Sequence, residues 1–425
     1  MSYIRKSVKS FVAILTIFCL CILTACSISG NLHSTENTSS SEEKTTKPTS
    51  EDTSSNYISI TSETTPTTTE TPEPHEASWL DPTDPELYNF TTEQKQVYCV
   101  MMEGIKHNIS TIAMPCKISY DEVAKIFNLV RNNLYEYCNL ILDYTNKMNS
   151  SNVTSILVEY KYDAQQVQDM KDELSEKADS ILSNFYEGMP EWDKIKYIHD
   201  YIVLNCTYDT QAPNSQSAYG ALIDGKAVCE GYAKAMAYLC NKAGIECMLV
   251  TGYAGGDAHM WNLVKYNGNW YHTDVTWDDP AKPVFDSEYV KYKYFNLTNS
   301  QIRLDHKIIP DNNFFEYPEA IANEGNYYIK KDAYIKTFDE ARKILIKQIA
   351  TCVDNNLKYV SVKVATQTLY NDIVRDIANA NDLSNILNEA NDISGNRFNV
   401  ADCKYYNDEN GYIISIYIKE LSPSN

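Results

Sequence analysis

No two cysteines in this sequence have the Cys-x-x-Cys spacing of a zinc site, and no stretch has the alternating oxygen ligands of a calcium loop. Asp278-Asp279, directly before Pro280, suits a turn better than a cation site. Neither a metal nor a cofactor is expected. A basic surface is also missing. The formal net charge is −20 and the pI is about 4.8, which excludes nucleic acid as a partner, because phosphate binding needs a cationic face. Such acidity suits solubility outside a cell; it is compatible with cationic substrates, but compositional acidity without meaning for a partner is the plainer reading. Long apolar runs are absent too. The run Phe11 to Leu23, preceded by Arg5, Lys6 and Lys9, is too short to span a bilayer as a mature helix, so residues 1–25 read as a secretory signal.

Twelve cysteines are present. Cys19 and Cys21 leave with the signal. Cys99, Cys116, Cys138, Cys206, Cys240, Cys247, Cys352 and Cys403 show no close pairing, so they read as buried small hydrophobes rather than a disulfide framework. The 33 tyrosines, scattered along the chain, read chiefly as half-buried packing residues.

Residues 26–77 are Ser, Thr, Glu and Pro with almost no large apolar side chains, a composition that cannot offset its own ordering entropy and reads as a disordered spacer. Three folded regions follow. Residues 78–186 form an N-terminal α/β domain, with helices expected over Thr92–Lys106, Ser119–Arg131 and Gln165–Tyr186 and a strand over Val153–Tyr162. Residues 187–318 form a core that opens with a helix after Met189-Pro190, in which His199 reads as a structural residue. Residues 319–425 form an α+β accessory domain. Its expected elements are a strand over Tyr327–Ile335, a Thr337-x-x-Glu340 capping box for a helix through Val353, a strand over Lys358–Ala365, a helix over Leu369–Ala380, and a hairpin of Phe398–Tyr405 with Tyr412–Ile418.

The core holds an ordered set of reactive residue types. Val228 to Asn241 has helical spacing, with Asp224-Gly225 before it as a turn and Gly244 beyond as a stop, so Cys229 falls in the first helical turn. There the free N–H groups and the dipole favour a thiolate. His259–Tyr266 and Asn269–Thr276 are strand-like around Asn267-Gly268, a two-residue hairpin turn. That register pairs Tyr266 with Asn269, Trp261 with Asp274 and His259 with Thr276. It makes Asp274 the diagonal same-face neighbour of His259, about 7–8 Å away between backbones. His272 shares that face, so geometry leaves two histidines available, while Asn262 lies on the opposite face. Tyr253 to Ala258 is a glycine-rich candidate covering loop.

The blocks Cys229-Glu230-Gly231-Tyr232-Ala233, His259-x-Trp261-Asn262 and Trp270-Tyr271-x-x-Asp274-x-Thr276-Trp277, in this order, resemble the transglutaminase-like superfamily, distant relatives of papain-type thiol proteases. The resemblance implies an α+β fold in which a helix-borne Cys packs on an antiparallel sheet, flanked here by small α+β domains. It implies Cys229 as nucleophile, His259 rather than His272 as base, and Asp274 as its orienting partner. Trp261 and Tyr219 are candidates for framing the substrate or oxyanion. The expected activity is acyl transfer from a peptide or glutamine amide, as peptidase or amidase hydrolysis. A cross-linking γ-glutamyl transfer, or a non-catalytic peptide- or wall-binding module, would be the alternatives. Leu23-Thr24-Ala25-Cys26 resembles a bacterial lipobox, implying lipidation at Cys26, an anchor on the outer face of the bacterial cell membrane, and a protein, peptide or cell-wall peptide as partner.

Overall fold

The computed structural model describes residue 84 and residues 88–137, 141–279, 289–309, 314–377 and 380–423. The signal, Cys26, the spacer, Cys138 and Pro280 lie outside the described residues. Among those described, no helix is long and apolar enough to cross a membrane.

The N-terminal region begins with α1 (Thr92–Lys106), β1 (Thr111–Ser119) and α2 (Tyr120–Asn133). Both helices start at full capping boxes, Thr91 with Gln94 and Ser119 with Glu122, which is why their starts are sharp. Strands β2 (Ile141–Asn149) and β3 (Asn152–Tyr160) complete an antiparallel sheet of order β1-β3-β2, and its core holds Val97, Met101, Ile126, Val130 and Ile156. The next helix, α3 (Ala164–Leu182), packs elsewhere. Its Leu174, Ala178 and Ile181 join the cluster around the following domain, so the packing boundary falls before residue 164 rather than after 186.

The central region runs α4 (Glu191–Asn205), the paired two-residue strands β4 (Thr207–Tyr208) and β5 (Lys226–Ala227) on either side of the short α5 (Ala218–Leu222), then α6 (Cys229–Lys242). Pro190 is the N-cap of α4 rather than its first residue. A four-stranded antiparallel sheet follows, of order β8-β7-β6-β9, from β6 (Cys247–Ala254), β7 (Asp257–Tyr266), β8 (Asn269–Thr273) and β9 (His306–Ile308). The turn at Asn267-Gly268 has φ of 50° and 75°, as a primed hairpin requires, and sets Tyr266 against Asn269. Tyr253 to Ala258 is a second hairpin end, with Ala254 paired to Asp257.

The register holds only to Asn262 opposite Thr273. There the strand stops, because Asp274 turns the chain into a short helix, α7 (Val275–Asp278), as its N-cap. His259 therefore never faces Thr276 across a ladder.

Helix α6 is buried from Glu230 through Cys240 on every side. Its Glu230–Lys234 pair, 2.7 Å apart, enters that interior as a compensated ion pair, with Arg131 of α2 3.6 Å from Glu230. Asn262 reaches from β7 to donate to the Ala233 carbonyl at 2.9 Å, tying sheet to helix. A side chain at Gly231 would be driven into the Ser215 carbonyl and the Ala227 methyl, so only glycine lets the first turn of α6 approach that closely.

The C-terminal region has its own core. Tyr327–Lys330 is a short helix, α9 (with Asn299–Ile302 as α8 before it), and the strand expected over Tyr327–Ile335 shrinks to β10 (Tyr334–Ile335). The Asn326 side chain caps Tyr328 N–H and wins over the strand-forming tyrosines. Helix α10 (Phe338–Asp354) starts at the expected capping box. Strands β11 (Tyr359–Val364), β12 (Cys403–Asp408) and β13 (Ile413–Ile418) make a sheet of order β10-β11-β13-β12. Helices α10 and α11 (Gln367–Ile377) pack on it, and α12 (Ala380–Ile393) packs on those two helices.

Replacing Gly231 with Ala should lower stability by about 1–3 kcal/mol through overpacking at the head of α6. Urea denaturation checks this.

Candidate active site

Cys229 is the first residue of α6. Val228, the N-cap, offers no side-chain cap, and within the first turn the Gly231 N–H donates to the Val228 carbonyl at 2.9 Å, which leaves the Cys229 N–H at the head of the helix for a ligand. The thiol is partly exposed, whereas Cys206, Cys240, Cys247 and Cys352 are buried. All eight described cysteines are free. Cys99 is exposed and Cys116 and Cys403 are half-buried, so these three depart from the expected burial.

His259 Nε2 donates to Asp274 Oδ2 at 2.7 Å. The contact forms because Asp274 sits at the bend between β8 and α7, with its Oδ1 accepting from Trp277 N–H at 3.1 Å. That leaves Nδ1 of His259 free of Asp274, and the ring also interacts with the Cys229 thiol. Burial pushes the His259 pKa down, but the Asp274 charge and hydrogen bond, together with the Cys229 thiol, hold it up at about 10. Burial also pushes Asp274 up, yet the His259 charge and the bonds from His259 and His306 keep it well below the carboxylate range. The site is thus a desolvated ion pair beside a reachable thiol.

His272 is elsewhere engaged. Its Nδ1 accepts from Trp261 Nε1 at 3.0 Å and its Nε2 donates to Asn299 Oδ1 at 2.8 Å, fixing a neutral tautomer. Burial and the charges of His306 and Arg303 lower it to about 4, so it has no free lone pair for base chemistry. The same bond removes Trp261 from the oxyanion role. Trp261 is buried with its indole N–H spent, and it stacks behind His259 at 6.0 Å instead. Tyr219, on α5, donates to Glu173 at 2.5 Å. Asn262 sits on the opposite face, bound to α6.

Of three further residues at the site, Trp277 is marked only by its place in the resemblance, while His306 and Tyr208 have no signal in the sequence. His306 on β9 donates to Asp274 Oδ2 at 3.0 Å, and a three-residue strand shows no periodicity that could announce it. Trp277 packs within 5.7 Å of His259. Tyr208 stacks on Tyr232, and desolvation of its hydroxyl, then the charges of Cys229 and Asp257, push its pKa up to about 12. His199 is fully buried, with Nε2 3.2 Å from Asp278 and Nδ1 3.0 Å from Asp200. Asp278 also accepts from Tyr294 N–H, so it braces the end of α7 and is not a surface turn.

His259, Asp274 and His306 present three ligand-type atoms within 4.8 Å of one another. Both imidazoles, however, point at one carboxylate oxygen at N–H donor distances, which is a hydrogen-bonded cluster rather than a chelate.

A thiol at a helix head, with an imidazole–carboxylate pair on the adjoining antiparallel sheet, is the arrangement of a thiol-enzyme core. Residues 178–275 match the family model of the transglutaminase-like superfamily, and the chain carries a domain of that superfamily on an α+β fold. It is similar to human kyphoscoliosis peptidase, 26% identical over 183 residues, and to the mouse protein, 25% identical over 191. Those matches take in 37% and 39% of this chain and 27% and 28% of the relatives, so the chain spans about a quarter of the length of the curated relatives it matches. A solved structure described as a TGase aligns at 17% identity over 41% of this chain and 53% of that one, with a TM-score of 0.25.

The folded pKa of His259 lies above its ordinary ~6.5, so its contribution to stability is complete below that pH and fades as the pH rises to about 10. Asp274, held low, contributes from about pH 4 upward. The urea midpoint of the wild type should therefore fall across about pH 6.5 to 10, and Asp274→Asn should flatten that slope.

Proposed function

We propose that this protein is a thiol peptidase or amidase in which Cys229, His259 and Asp274 form the reacting set. The observation that supports this most is the 2.7 Å His259–Asp274 bond beside the partly exposed Cys229, on a transglutaminase-like domain. The name of the curated relatives, peptidase, favours hydrolysis over cross-linking.

The Cys229 thiolate attacks the amide carbon and the C–N bond breaks as His259 gives its proton to the departing amine, leaving a thioester. Water then attacks the thioester; His259 takes its proton, the carboxylic acid leaves and the thiolate returns. Asp274 holds the ring and stabilises its cation throughout. The Cys229 N–H, without an i−4 carbonyl partner, is one oxyanion donor, and the Tyr208 hydroxyl is the candidate for a second. The apolar leader and the lipobox-like Leu23-Thr24-Ala25-Cys26 favour the outer face of a bacterial membrane for this chemistry, with extracellular protein or wall peptide as substrate. The net charge of −20 favours cationic peptides and disfavours nucleic acid.

Incubating the protein with a glutamine-containing peptide, with and without a labelled amine, tests the reading. The expected result is amine-independent release of ammonia or cleavage product, lost by about 10⁴-fold or more in Cys229→Ala. Product formed only by incorporating the amine would instead make the protein a cross-linking transferase. No reaction, with Cys229 no more reactive than Cys99, would make it a binding module.

A further inference from the structure

Asp274 Oδ2 accepts from two imidazoles, His259 Nε2 at 2.7 Å and His306 Nε2 at 3.0 Å. The other nitrogen of His306 is also committed, Nδ1 lying 2.7 Å from Asp305 Oδ1. A ring whose two nitrogens both face carboxylates carries two protons and a positive charge. Its plane is fixed by a box of rings, Trp277 at 4.7 Å, Trp261 at 5.0 Å and Tyr294 at 5.4 Å. Its backbone position is fixed by the pairing of His306 with Ala254. A buried histidine kept only for packing would not need its charge on the very oxygen that a second imidazole uses.

We propose that His306 is a positioning residue that acts through Asp274: its imidazolium locks the carboxylate oxygen toward His259 and divides that oxygen's charge between two cations, setting how readily His259 releases its proton. This rests on the acyl-transfer reading above. Asp274 alone would bind the His259 proton too firmly for an acid that must deliver it to a leaving amine. A second cation 5.6 Å away between ring centres weakens that hold. Burial pushes the His306 pKa down, but the bonds to Asp274 and Asp305 outweigh it and raise it, in keeping with a charged ring. The titratable groups facing His306 are Asp274 at the head of α7, Asp305 before β9, His259 on β7, His272 on β8 and Tyr294; Lys293 acts on Asp305.

The test is an NMR titration of the His259 ring in the full chain, in wild type, His306→Gln and Asp305→Asn. Glutamine retains an N–H donor and removes the charge, and Asp305, partly exposed, can be changed without opening the interior. The His259 pKa should rise by about 1–2 units in His306→Gln and by less, in the same direction, in Asp305→Asn. Should His306→Gln fail to fold, Asp305→Asn alone decides. A His259 pKa unmoved in folded variants would overturn the proposal and leave His306 a packing residue. A parallel arm measures iodoacetamide labelling of Cys229 in wild type and His259→Ala. Labelling indifferent to His259 would sink the acyl-transfer reading while the titration still decides the coupling between the two histidines.

Discussion

A single buried carboxylate organises this domain. Asp274 ends β8, caps α7, orients His259 and receives His306, with no exposure to solvent. An unpaired charge at that depth would cost several kcal/mol or be neutralised by protonation. Three N–H donors, from His259, His306 and the Trp277 backbone, supply the compensation, and each comes from a different part of the chain. The sheet edge, the strand end and the short helix can only coexist in the arrangement that satisfies this one group. The reactive geometry and the local fold are therefore the same constraint seen twice.

The supporting layers serve that constraint. His199 and the Tyr294 backbone hold Asp278, which fixes the far end of α7. Asn262 fixes β7 to α6, and Gly231 lets the head of α6 come close to the Ser215 backbone. Arg131 from the N-terminal region completes the charge balance around Glu230, one residue from the thiol. The N-terminal region thus helps form the environment of α6, while the C-terminal region closes around a core of its own.

Much of this was legible in residue order. The helix start at Cys229 followed from a turn signal and an apolar stripe, and the Asn267-Gly268 hairpin fixed the register, both short-range effects. His259 and Asp274 do meet, at 2.7 Å, but not across the strand ladder that the residue order suggests. Asp274 was read as a strand residue because Val275-Thr276-Trp277 favours strands, yet its preference for capping a helix prevailed. Strand β6 carries no clear alternation, and β9 is too short for one, so the central and edge strands that bring in His306 were invisible. Trp261 looked like a site residue because of its neighbours; that its indole N–H is taken by His272 is a long-range fact no local pattern encodes. Tyr327 to Ile335 failed for the same reason as Asp274, a side-chain cap overriding β propensity.

On the proposed function, the Cys229 sulfur accepts an acyl group with the help of this carboxylate-held imidazole. Mass spectrometry of the full chain after brief exposure to a p-nitrophenyl ester tests it directly. The expected result is one acyl group per chain, mapped to Cys229, forming in a burst that His259→Ala abolishes. Acylation of the exposed Cys99 in preference to Cys229, or none at all, would contradict it.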